Sequence, residues 1–89
     1  MEKCFIITAE YGLHARPVTK LVDLASHFQS EIFLKYKDKE VNLKSVMGVM
    51  SLGVYNGQKI TIIADGNDQK EVIDKIAEFI ENEKLGILA

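Results

Sequence analysis

A two-layer α+β fold, with helices packed on one face of a sheet, is predicted for this chain by three observations. Segments of period two and segments of helical period follow one another in the order strand, helix, strand, strand, helix, strand, helix. The two longer helical segments each carry a single apolar face, which needs another layer to lie on. The length of 89 residues, 47% of them hydrophobic, suits one core, and residues 1–89 read as one domain with no linker or repeat.

The run Lys3-Cys4-Phe5-Ile6-Ile7-Thr8 predicts the first strand. Apolar residues then recur at Val18, Leu21, Val22, Ala25 and Phe28, the spacing of a helix with one buried face. From Glu31 to Tyr36, Ile32, Leu34 and Tyr36 alternate with Glu31, Phe33 and Lys35, and a second strand continues through Val41 and Leu43 after the reversal Lys37-Asp38-Lys39. This pair predicts a hairpin. Ser45 stands at an N-cap position before the short run Val46 to Leu52, with Gly53 as its C′ residue. Asn56-Gly57 marks a turn before the strand Lys59 to Ala64. Asp68-Gln69-Lys70-Glu71 is a capping box with Asp as its first residue, and Val72, Ile73, Ile76, Ala77, Phe79 and Ile80 form the apolar face of the closing helix. Glu71 and Lys75 are spaced as a stabilising pair on that helix.

Composition narrows the function. Cys4 has no partner cysteine, so the chain has no internal disulfide, as expected in the reducing cytosol. No charged leader precedes an apolar run, and no apolar stretch approaches membrane-spanning length. The net charge of −2 divides into −4 over residues 65–84 and +2 over residues 1–64. That tilt suits steering onto acidic protein surfaces and is too weak for a nucleic-acid footprint. The histidines are His14 and His27, neither with acidic groups at ligand spacing, so no metal site and no cofactor is expected. His27, near the end of the first helix, reads as a surface residue, and Cys4 as a half-buried filler.

The residues with a chemistry of their own are Gly12-Leu13-His14-Ala15-Arg16-Pro17. His14 falls just outside the first turn of the first helix, where free backbone N–H groups and the positive end of the dipole favour an anion. Pro17 has no N–H and fits a first-turn position, which leaves Ala15 and Arg16 as donors. Arg16 adds a planar, permanently charged fork suited to phosphoryl oxygens. His14 itself can take a phosphoryl group on a ring nitrogen. A histidine before a helix is also an ordinary surface or capping residue, and spacing alone leaves both readings open.

The hexapeptide resembles the active-site stretch of the HPr family, the histidine-containing phosphocarriers of the bacterial sugar phosphotransferase system. The segment Val41-Asn42-Leu43-Lys44-Ser45-Val46-Met47-Gly48-Val49-Met50-Ser51-Leu52-Gly53 is similar to the regulatory-serine region of the same family in its Gram-positive form. The resemblance runs from about Phe5 to Leu85. It implies an open-faced two-layer sandwich, βαββαβα, with a four-stranded antiparallel sheet in the order 1-4-2-3 and three helices on one face. It also implies a phosphoryl carrier rather than an enzyme. His14 would be phosphorylated on Nδ1 by enzyme I, itself charged from phosphoenolpyruvate, and would pass the group to sugar-specific IIA domains. Arg16 would assist transfer, with Ala15 and Pro17 shaping the site.

Ser45 reads on its own as a helix cap. The resemblance makes it the target of the ATP-dependent HPr kinase/phosphorylase, with the phosphoserine form serving the catabolite control regulator as corepressor. A phosphate of roughly −1.5 to −2 charge is tolerated at a helix N-terminus, so one hydroxyl can serve both roles. The run from Val46 to Leu52 is too apolar for every side to be buried. The resemblance places Val46, Met47 and Met50, with Leu21, in the surface that docks enzyme I, IIA domains, the kinase and the regulator. Core filling is the competing expectation for the methionines. Tyr11 is bulkier than the small polar residue frequent there in the family and is expected to trim access to His14. A monomeric, cytoplasmic carrier without direct nucleic-acid contact or membrane insertion follows. The alternative is a regulatory paralogue acting mainly as Ser45-phosphorylated corepressor, a form that lacks the histidine present here.

Overall fold

The computed structural model describes residues 1–89. Eight elements follow one another: β1 (Glu2–Ile7), α1 (Ala15–Ala25), β2 (Glu31–Tyr36), β3 (Lys39–Asn42), α2 (Val46–Met50), β4 (Lys59–Asp65), α3 (Gln69–Asn82) and β5 (Gly86–Leu88). They form one antiparallel sheet in the order β3-β2-β4-β1-β5. Read from β1 outward, the first four strands have the expected order 1-4-2-3. The fifth is an addition to the expected four: β5 pairs with the outer edge of β1, Phe5 opposite Leu88 and Ile7 opposite Gly86. Three residues after a long helix carry too little periodicity to announce a strand. Gly86 permits the approach, since a Cβ there would sit 2.5 Å from the Ile6 carbonyl oxygen.

Period two decides which side of each strand is dry. Phe5 and Ile7 on β1, Ile32, Leu34 and Tyr36 on β2, and Ile60, Ile62 and Ala64 on β4 are buried. They meet Val18, Leu21, Val22 and Ala25 of α1 and Val72, Ile73, Ile76 and Ile80 of α3 in a single core. Glu31 and Lys35 lie on the other face, in solvent, with Phe33 half-buried between them. No helix is long and apolar enough to cross a membrane.

The hairpin forms as expected, with a tighter turn. Tyr36 pairs with Lys39, so the reversal is Lys37-Asp38 alone, and Lys37 takes the left-handed conformation, φ +57°. Leu43 lies just past β3 and is fully buried. Gly53, with φ +64°, stands two residues beyond the C-cap Ser51 rather than directly after it.

Two expectations about α3 are corrected. Asp68 occupies its N-cap position without making a capping hydrogen bond. Its carboxylate instead accepts from the Gln29 N–H at 2.9 Å, the Ser30 N–H at 3.0 Å and the Ser30 hydroxyl, tying the start of α3 to the α1–β2 connection. A carboxylate offered three donors from another segment satisfies those in preference to its own helix. These hydrogen bonds, the Ser30 hydroxyl first and the Gln29 N–H next, hold the Asp68 carboxyl below its ordinary pKa. The ion pair on α3 is Lys70 with Asp74, 3.4 Å apart and well exposed, rather than Glu71 with Lys75.

Candidate functional site

The loop from Thr8 to Leu13 is held by backbone hydrogen bonds on both sides. Thr8 and Ala9 donate to the Leu85 carbonyl at 2.8 and 3.1 Å, Gly12 donates to Ala9 at 3.0 Å, and Leu13 donates to Val54 at 3.0 Å. Gly12 has φ +64°, and a Cβ there would run into the Val54 carbonyl oxygen. Only glycine meets both demands. Leu13 is buried, which leaves His14 facing water at the mouth of α1.

His14 is the N-cap of α1, with extended backbone (φ −90°, ψ 176°) and no side-chain capping bond. Its carbonyl accepts the first helical bond, from the Val18 N–H at 3.1 Å. The N–H groups of Ala15 and Arg16 precede that bond and have no acceptor inside the helix. Pro17, the third helical residue, is buried and contributes no donor. Arg16 is exposed and forms no ion pair. His14 is therefore exposed at a helix start whose next two amides have no acceptor in the chain and whose Arg16 guanidinium is uncommitted. None of the surface cavities is lined by His14, so the site is open rather than a cleft.

One neighbour of the imidazole was only partly legible. Tyr11, itself 75% exposed, lies edge-to-face with the His14 ring, centroids 6.2 Å apart and planes at 85°. Its place beside the hexapeptide is visible in the sequence, but ring contact depends on the shape of the loop.

Ser45 caps α2 as expected, its Oγ accepting the Gly48 N–H at 3.0 Å. Lys44 is engaged elsewhere, donating from Nζ to the Phe28 carbonyl at 2.8 Å. On α2, which packs against α1, Met47 is 81% exposed and Met50 38%, while Val46 is half-buried and Val49 buried. The expected place of Leu21 in a docking surface is corrected. It is fully buried, because it lies on the stripe of α1 that faces the sheet. His27 is exposed, its Nδ1 2.8 Å from the Asp23 carbonyl oxygen, and Cys4 is half-buried with Sγ 3.3 Å from Thr61 Oγ1.

A small α+β sandwich that displays a histidine at a helix mouth, without a substrate cleft, defines a class of surface-histidine proteins. Comparison narrows the class. Residues 1–82 match the family model described as the PTS HPr component phosphorylation site. The histidine-containing phosphocarrier protein of Mycoplasma is 41% identical, with a TM-score of 0.94 over 97% of this chain and 98% of that one. The phosphocarrier protein HPr of Bacillus anthracis is 37% identical, with a TM-score of 0.83 over 89% and 94% of the two chains. Crh, the catabolite repression protein of Bacillus subtilis, in a domain-swapped dimer, is 43% identical, with a TM-score of 0.74 over 84% and 86%. The chain belongs to the HPr phosphocarrier family of the phosphotransferase system.

Proposed function

We propose that this protein, a single domain over residues 1–89, accepts a phosphoryl group on His14 from phospho-enzyme I and hands it to the IIA domains of sugar permeases. The observation that carries the reading is the exposed His14 at the N-cap of α1, followed directly by the unpaired amides of Ala15 and Arg16. A ring nitrogen attacks phosphorus, a P–N bond forms as the bond to the donor breaks, and the group later leaves by the reverse step. Phosphoryl transfer has a loose transition state, so a protein assists it by positioning and by dispersing charge on the oxygens. Two amides and the Arg16 guanidinium do that without enclosing the group, and a group that is not enclosed can leave. The protein is thus a cytoplasmic carrier within a relay, not a catalyst that turns over alone.

Ser45 is the second site of this reading, a substrate of HPr kinase/phosphorylase whose phosphorylated form serves the catabolite control regulator. The exposed Met47 and Met50, with Val46 at their margin, form the surface offered to these proteins, since methionine adapts its shape to more than one partner. In this reading the carrier acts as a monomer, unlike the domain-swapped Crh.

Likeness to Crh favours one second reading, a regulatory paralogue modified on Ser45 alone. Incubation with enzyme I and labelled phosphoenolpyruvate, and separately with the kinase and labelled ATP, separates the two. The carrier takes acid-labile label in the first and acid-stable label in the second, and His14→Ala removes the first while keeping the second. Acid-labile label surviving in H14A sinks the assignment to His14, and acid-stable label alone supports the paralogue.

A further inference from the structure

We propose that Tyr11 is a positioning residue for His14, holding the imidazole in the orientation from which it takes and gives the phosphoryl group. The proposal rests on the carrier reading and adds to it a residue that acts through the His14 ring.

The backbone on either side is fixed. Gly12 donates to Ala9, Leu13 donates to Val54, and Leu13 is buried, so the Cα atoms of Tyr11 and His14 have settled positions. The side chains are not fixed in the same way. The His14 imidazole makes no capping bond, and no polar side chain orients it. What it has is the Tyr11 ring at 6.2 Å and 85°, the T-shaped arrangement that the opposed quadrupoles of two aromatic rings favour. Tyr11 is in turn 75% exposed, so this pairing is a principal constraint on its own ring.

Orientation matters because the two ring nitrogens are not equivalent. Only a ring turned so that the attacking nitrogen faces the Ala15 and Arg16 amides places the arriving oxygens against donors. A freely turning imidazole spends part of its time aimed elsewhere, and transfer slows in proportion. An edge-to-face pair biases such a rotor by about two- to tenfold, with an exposed pair toward the lower end. The aromatic ring is the part that acts. The phenolic hydroxyl makes no hydrogen bond within the chain, unlike that of Tyr36, which donates to Gln58 at 2.7 Å.

Wild type, Tyr11→Phe, Tyr11→Leu and His14→Ala separate these roles in two measurements. In proton spectra the His14 ring C–H resonances are expected to be displaced by the neighbouring ring in wild type and Y11F, and to return toward free-histidine positions in Y11L. In single-turnover acceptance from phospho-enzyme I, Y11L is expected to be slower by about two- to tenfold at saturation, with KM little changed and Y11F like wild type. Wild-type transfer by Y11L, or equal loss in Y11F and Y11L, overturns the proposal. So does a His14 spectrum indifferent to Y11L. If wild type takes no more label than H14A, the carrier reading itself has failed, while the spectra still report on the contact alone.

Discussion

Replacing Ser45 by alanine and by aspartate tests the local physics on which the second site depends. In the structure, α2 is five residues long and its third N–H, that of Gly48, is satisfied by Ser45 Oγ at 3.0 Å. Ser45→Ala removes that acceptor. Ser45 and Gly48 are both half-buried, so water reaches the freed N–H in part, and the cost is about 1 kcal/mol rather than the upper end of the capping range. For a domain of this size that loss lowers the melting temperature by about 4–8 °C. It lowers the urea midpoint by roughly 0.3–1 M with an unchanged slope. Ser45→Asp offers a carboxylate oxygen to the same N–H and a negative charge to the positive end of the helix, so it is expected to melt within about 2 °C of wild type. Thermal melts of the three proteins therefore place wild type and S45D together, above S45A. An unchanged S45A would show that the cap contributes nothing. S45D falling with S45A would show that the pocket of the hydroxyl rejects an anion, and would remove the physical basis for phosphorylation there.

Two further predictions follow from burial and charge. Leu21→Ala is expected to cost about 2–5 kcal/mol in urea unfolding, because Leu21 is fully buried. Met47→Ala, at an 81% exposed position, is expected to leave stability within about 0.5 kcal/mol and to raise the KM for transfer from enzyme I, so the pair separates the core from the proposed docking surface. Asp68, whose carboxyl is held below its ordinary value of 3.8 by Ser30 and Gln29, contributes stability that is fully present above about pH 4 and is lost as pH falls through its folded value. Asp68→Asn is expected to be less stable at neutral pH and to show a shallower acid decline in melts from pH 6 to pH 2. An acid limb identical to wild type would mean that the Asp68 anchor does not differ between folded and unfolded chains.

Much of this fold is legible because period decides burial. Ile32, Leu34 and Tyr36 alternate in the sequence and are dry in the structure, and Val18, Leu21, Val22 and Ala25 recur at helical spacing and face the sheet. The same rule shows why a family expectation placed Leu21 wrongly: its helical spacing already assigned it to the core stripe. What periodicity could not supply depends on neighbours distant in sequence. Asp68 has the spacing of a cap, yet Gln29 and Ser30, nearly forty positions earlier, bring three donors to it. The strand Gly86–Leu88 exists because the outer edge of β1 is open to pair with it. At the candidate site, the free donors and the guanidinium follow from His14, Ala15, Arg16 and Pro17 alone, because helix termini are local. The Tyr11 contact is not local in that sense, since the fold of the loop decides whether two rings three residues apart meet.

His14 and Ser45 occupy the same position, the N-cap, on two helices packed against each other, and use it in opposite ways. Ser45 spends its side-chain oxygen on Gly48, so a phosphoryl group added there has to take over a structural bond in the first turn of α2. His14 leaves its amides unspent, so a phosphoryl group added there meets free donors and disturbs no bond that the chain has already made. A group that arrives and leaves on each transfer belongs at the second kind of cap, where either state leaves α1 intact. A mark that must be read by other proteins suits the first, where it adds charge at the start of the helix that presents Met47 and Met50. The proposed division, relay at His14 and regulation at Ser45, thus accords with which cap is already occupied.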